Sequence, residues 1–268
     1  MSWASLVVRI ACVVGALSAA GCGGTATPRR APVAQHAATR FDGLAQVGPL
    51  FVGPSDAGPH ICTASVVDSP HHDLVATAAH CLSGPGTDLS FAPMYHDGVA
   101  PFGTWQVQAA YVSPGWIATR DPHEDVAFLL LAPQRRNGRI VDVEDLTGAN
   151  TLVVSQGYGV EATVVGYALG VGGRPVTCTG PVSDSGGYPT FGCDGFVDGT
   201  SGGPWITGVD PATHGGDLYG VIGGLHQGGC TSSVSYSSYF DATTQALYLR
   251  AVQGGAGDEV PAAGSDGC

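Results

Sequence analysis

The stretch DGTSGGPW, residues 198–205, sets Ser201 among glycines at 199, 202 and 203. Glycine permits a tight backbone turn and close approach of a substrate, and the successive N–H groups of residues 199 to 201 can converge on one point. Such convergence stabilises a developing oxyanion. A Gly-rich turn reads the same way in isolation, so the meaning of Ser201 depends on what the rest of the chain supplies. A serine hydroxyl is a poor nucleophile at neutral pH and needs a base to take its proton.

Two other stretches can provide that base. In LVATAAHCL (74–82), His80 ends an apolar segment beside Cys81, which a disulfide would staple to the strand HICTASVV (60–67). A histidine held in this way has a restricted position. In DVAFLLLA (125–132), Asp125 leads into an almost wholly apolar strand. A carboxylate poised for partial burial is costly unless something hydrogen-bonds it, and a histidine N–H suffices. Asp121 and Glu124 read as turn residues, and His36, His71, His72, His96 and His214 as surface or structural ones.

Composition sets the frame. The chain has 268 residues with 42 Gly, 18 Pro and only 12% charged residues, which suits a turn-rich all-β protein with a substantial core. Further strands are expected at WQVQAAYV (105–112), VEATVVGYAL (160–169) and DLYGVIGG (217–224), separated by Gly, Pro, Asp and Ser clusters. DATTQALYLRAV (241–252) reads instead as a helix capped by Asp241, with Ala242, Ala246, Leu247 and Leu249 on its apolar face. PQRRNGR (133–139) is the candidate linker between two halves. A net charge of −12, with every basic residue an Arg, leaves no basic run for phosphates and excludes a nucleic-acid partner.

Residues 1–22 read as an export leader. IACVVGALSAAG is too short for a permanent membrane span, and the run ends in Ala19-Ala20-Gly21-Cys22, similar to a bacterial lipobox with Cys22 as the lipidated residue. Ordinary cleavage and secretion is the other reading, so contact with a membrane is expected only through that anchor. Residues 23–43 read as a flexible tether and 254–268 as a Gly-rich tail. Six cysteines remain besides Cys12 and Cys22. Spacing pairs Cys62 with Cys81 and Cys178 with Cys193, which leaves Cys230 to Cys268 or Cys268 free. No CxxC or HExxH spacing supports a metal, and no cofactor motif appears.

The order His80, Asp125, Ser201, within TAAHC, DVAFL and GTSGGP, resembles the chymotrypsin (trypsin-like) family of serine peptidases over about residues 44–253. The resemblance implies two six-stranded antiparallel β-barrels, about 44–132 and 140–240, followed by the helix at 241–252, with the site in the cleft between them. It implies an exported, monomeric serine endopeptidase in which Ser201 attacks a peptide carbonyl, His80 moves the proton, Asp125 orients the imidazole, and the N–H groups of Gly199 and Ser201 receive the oxyanion. A charged His80 cannot act as a base, so activity is expected to rise with pH through about 6 to 8.

The resemblance also shows departures. Thr200 stands where animal relatives carry the aspartate that receives a new N-terminal ammonium, and LAQVGPLFVG replaces the IVGG-type start, so a bacterial branch without that switch is implied. Gly195, six residues before the nucleophile, falls at the base of the specificity pocket and offers no carboxylate for Arg or Lys, while Asp194 and Asp198 lie close enough in sequence for loop differences to supply one. Gly223 and Gly224 are expected to pair with substrate backbone. VIGGLHQGG is similar to the pocket wall of glutamyl endopeptidases, with His226 as the candidate carboxylate ligand. The alternatives are a catalytically silent binding protein of the same fold, or an acyl hydrolase, for which the order of the three residues is wrong.

Overall fold

The structure, a computed structural model, describes residue 1 and residues 36–56, 58–169 and 173–268. The expected leader, Cys22 and residues 23–35 of the tether lie outside the described residues, and no helix among those described is long and apolar enough to cross a membrane. Six antiparallel strands close into a barrel: β1 (Val47–Val52), β2 (His60–Val67), β3 (Leu74–Thr77), β4 (Leu89–Phe91), β5 (Trp105–Val112) and β6 (Ala127–Leu131), in the order β1-β2-β3-β6-β5-β4. β6 is buried along nearly its whole length because both of its faces are covered, by the barrel interior and by the helix Ala242–Gln253, whose Tyr248 meets Phe128 edge-on. Asp241 caps that helix through the N–H groups of Thr243 and Thr244. Its inward face is Thr244, Leu247 and Ala251, and Leu249 is exposed: the expected stripe was turned by about one position.

The second half contains β7 (Glu161–Gly166), β8 (Val176–Ser185), β9 (Tyr188–Asp194), β10 (Pro204–Thr207), β11 (Asp217–Val221) and β12 (Val234–Tyr236). Its strands do not close on themselves by hydrogen bonding. They form a nine-stranded sheet that includes the short strands His36–Ala37, Thr39–Arg40 and Thr151–Leu152. Its core packs Phe191 against Trp205, tilted, and Trp205 against Tyr219, edge-on, with ring centroids 5.7 and 6.4 Å apart, and aromatic quadrupoles favour the edge-on contact.

Two connecting segments differ from their sequence reading. Residues 36–40, read as tether, pair with β9 and β8. Such edge pairing uses backbone N–H and C=O groups, so side-chain periodicity does not announce it. The 133–139 linker contains a small hairpin, Gln134–Arg136 with Arg139–Val141, turned by Asn137 and Gly138 at positive φ. Among the described residues the disulfides are Cys62–Cys81, Cys178–Cys193 and Cys230–Cys268.

Candidate active site

His80 lies in the single 3-10 turn Ala79–Cys81 that follows β3, and the disulfide of Cys81 ties this turn to β2. Asp125 follows the turn Pro122–Glu124, which Asp121 caps by accepting the His123 N–H. Its carboxylate is fully buried and accepts three hydrogen bonds: from His80 Nδ1 at 2.8 Å, from the His80 backbone N–H at 2.9 Å and from the Gly224 N–H at 2.8 Å. These bonds make an ionised carboxylate tolerable away from water. An ionised carboxylate only accepts, so the proton of a neutral His80 sits on Nδ1 and the Nε2 lone pair is left free.

Ser201 and His80 line one cavity of about 480 Å³ together with Gly199, His60 and Leu169. Among the described residues no hydrogen bond joins Ser201 to His80; such bonds commonly tighten only when a substrate is held.

The loop around Ser201 is fixed by its carbonyls. The Asp198 carbonyl accepts from Leu169 N–H at 2.8 Å, which sets the plane of the peptide that carries the Gly199 N–H. The Thr200 carbonyl accepts from Gly203 N–H at 2.9 Å, which likewise sets the Ser201 N–H. The Thr200 N–H is used on Val197 O at 3.1 Å, whereas among the described residues the N–H groups of Gly199 and Ser201 have no acceptor. Unused N–H donors beside a serine hydroxyl are groups that an oxyanion can take.

β2 of the barrel grips this loop through Thr63. Its N–H donates to Ser201 O at 2.7 Å, and its hydroxyl donates to Gly199 O at 3.0 Å and accepts from Tyr167 N–H at 2.9 Å. Thr77 in turn donates to Thr63 O at 2.8 Å. The approach is so close that a Cβ on Gly202, at φ +78°, would stand 2.1 Å from Thr77 Oγ1. His60 donates from Nε2 to Tyr167 O at 2.9 Å, and burial lowers its pKa more than that bond raises it. Thr200 is buried, and its hydroxyl donates to Val197 O at 2.7 Å. The loop is therefore closed across three residues, with no charge involved.

A second cavity, of about 460 Å³, adjoins the first at Ser201; Phe196, Val197, Ile222, Thr231, Ser232 and Ser235 line it. Asp198, which is exposed, is the one ionisable side chain among its described lining residues.

A family model described as Trypsin matches residues 44–246. The chain belongs to the trypsin family. Its fold is similar to the protease Anisep from Arthrobacter nicotinovorans, at 25% identity and TM-score 0.68, covering 81% of this chain and all of that one. It is also similar to the thermostable serine protease AL20 from an extremophilic microorganism, at 26% identity and TM-score 0.66, over 79% and 98% of the two chains. A Glu endopeptidase in complex with MPD shares the fold alone, at 16% identity and TM-score 0.64, over 83% and 99%. Comparison with curated protein sequences gives no match.

Within this trypsin-family frame the expected site residues fare differently. His80, Asp125, Ser201 and Gly199 come together as described. Gly195 does not line the second cavity: its N–H is bonded to Ser232 O and a Cβ there would meet Ala38, so it stands behind the wall. Asp194 is turned to the Ser232 hydroxyl at 2.7 Å. The N–H groups of Gly223 and Gly224 are already used, on Tyr236 O and Asp125, which removes both as donors to a substrate backbone. His226 lines the cavity of His80, not the one with the hydroxyl floor, and its Nδ1 is bonded to Asp266 O at 2.9 Å. Sequence reading overlooked Thr63, His60, Leu169 and Asp266. A threonine at the centre of a strand carries no signal that separates it from any other β-branched strand residue.

Proposed function

We propose that this trypsin-family chain is an exported serine peptidase that hydrolyses peptide bonds of polypeptides through Ser201, His80 and Asp125. The observation that supports it most is the fully buried Asp125 carboxylate on His80 Nδ1, in the same cavity as Ser201 and two unused N–H donors. His80 Nε2 takes the Ser201 proton as Oγ attacks the peptide carbonyl, and the imidazolium is stabilised by Asp125. The carbonyl oxygen, now an anion, moves between the N–H groups of Gly199 and Ser201, where each donor contributes about 10² to 10³ in kcat. His80 then gives its proton to the leaving amine, and water attacks the acyl-enzyme by the same route in reverse.

Thr200 supports activity without an N-terminal ammonium, since its own hydroxyl closes the loop on Val197. The neutral, hydroxyl-bearing floor of the second cavity supports a neutral side chain before the scissile bond. Asp198 is the one carboxylate among the described lining residues, Gly195 supplies none, and the tethering of His226 to Asp266 speaks against glutamyl specificity. Three disulfides support an oxidising compartment outside the cytoplasm, with Cys22 as the proposed lipid anchor. Labelling by a fluorophosphonate probe tests the triad: it should occur on the full-length protein and vanish in Ser201→Ala, in His80→Ala and after unfolding. Absence of labelling under every condition would return the silent binding protein.

A further inference from the structure

The segment 254–268 is bound along its length. Asp258 N–H donates to Ala110 O at 2.8 Å, and its carboxylate takes Arg250 and the Val112 N–H. Val260 is buried and exchanges two backbone hydrogen bonds with Gly84. Beyond it every second carbonyl is held by a side chain from one or the other wall of the cleft. Arg120 Nε donates to Ala262 O at 2.7 Å, Gln227 Nε2 to Gly264 O at 2.8 Å and His226 Nδ1 to Asp266 O at 2.9 Å. Cys268 is then joined to Cys230. Arg120 belongs to the barrel side, just before Asp125; His226 and Gln227 belong to the sheet side, just after Gly224. The segment therefore bridges the two walls, and Asp266 reaches the cavity of His80 and Ser201.

Three of the backbone groups that could pair with an extended substrate on this side of Ser201 are engaged within the fold. β11 ends at Val221, the N–H groups of Gly223 and Gly224 are used, and the Gly224 carbonyl takes the Gln227 N–H at 3.0 Å. His226 and Gln227 both adopt left-handed backbone, with φ of 54° and 51°. Two consecutive non-glycine residues held there store strain that persists only when surroundings impose it, and both side chains are spent on the bridging segment.

We propose that the strap Ala262–Cys268 closes the acyl side of the cleft, so that the enzyme cuts bonds close to a substrate's free amino terminus, whose ammonium group meets the Asp266 carboxylate. Asp266 Oδ1 accepts the Cys268 N–H at 3.0 Å, which leaves Oδ2 for the ammonium. Asp266 forms no ion pair among the described residues. Pro59–Cys62 and Leu169 also line this cavity, and among the described residues no hydrogen bond or disulfide ties them to the strap, which leaves them to the leaving chain.

This inference rests on the peptidase reading, and the test separates the two. Full-length protein is incubated with random-sequence synthetic peptides, free or N-acetylated, and the cuts are mapped by mass spectrometry; Ser201 labelling is measured on the same preparation. Cuts should cluster near free amino ends, and acetylation should lower kcat/KM by about tenfold or more, the loss of one charge-assisted hydrogen bond. Asp266→Asn should remove the distinction between free and acetylated peptides. A Cys230→Ser/Cys268→Ser double variant should cut deep inside long peptides while still labelling at Ser201. Labelled wild-type enzyme whose cuts are spread evenly and ignore acetylation would overturn the strap. Dependence on internal Lys or Arg instead of the terminal amine would overturn the role given to the amino terminus. Loss of labelling itself would fell the peptidase reading and the strap with it.

Discussion

In the closed barrel, His80 and Asp125 flank strands whose backbone groups are paired on both sides, and the only freedom left to them is the geometry of one carboxylate. In the open sheet, Ser201 sits on a loop between β9 and β10 with no ladder of its own, held instead by four carbonyls, those of Asp198, Gly199, Thr200 and Ser201. The barrel half positions its groups by enclosure. The sheet half positions them by close approach, which is why it spends glycines where the barrel spends aliphatic side chains. Thr63 joins the two solutions, because a barrel strand supplies the loop's main anchors.

The two halves differ most at the buried carboxylate. Asp125→Asn should keep the shape while reversing the hydrogen-bond sense at Nδ1, and kcat should fall by about 10⁴, the size known for this family. Unchanged near-ultraviolet circular dichroism would show that the loss is chemical. Next comes Gly202→Ala, which places a Cβ against Thr77 and Thr63 at positive φ. A cost of about 3 kcal/mol or more is expected, read by denaturant titration, and a near-neutral result would mean that the loop is looser than the close-approach account requires.

Thr63→Val keeps the strand and removes the hydroxyl between Gly199 O and Tyr167 N. It should cost about 1 to 2 kcal/mol of stability and about tenfold in kcat with KM little changed, because a misaligned oxyanion hole is felt in the transition state. A fall in stability without the kcat effect would make Thr63 merely structural.

The smallest effect concerns pH. Burial depresses the His60 pKa below its ordinary 6.5, so the unfolded chain binds the proton more readily. His60 therefore contributes stability that is full above pH 6.5 and is lost as the pH falls toward its folded value. The melting temperature should drop below pH 6.5 more steeply in the wild type than in His60→Gln, and equal slopes would remove His60 from the account.

Much of the scaffold was legible in the sequence. HICTASVV and WQVQAAYV coincide with β2 and β5 residue for residue, and Asp241 caps its helix as its position suggests. That Ser201, His80 and Asp125 lie near one another was legible because each stands in a short stretch whose neighbours constrain it. What escaped reading was carried by backbone atoms. The pairing of residues 36–40 with the sheet, the carbonyl anchors of the Ser201 loop and the bridging course of 260–268 all use groups that every residue possesses. The committed N–H groups of Gly223 and Gly224 belong to the same class: their sequence suggested an open edge, while the fold had already spent both donors.

The bond from Thr200 to Val197 changes when the site acquires its shape. An ion pair with a cleaved terminus would make competence a record of processing, an event written into the chain after folding. A hydroxyl reaching a carbonyl three residues away keeps no such record. In the proposed peptidase it would form as the loop forms, so competence would follow from folding alone, and restraint would fall to where the protein folds and what can reach it.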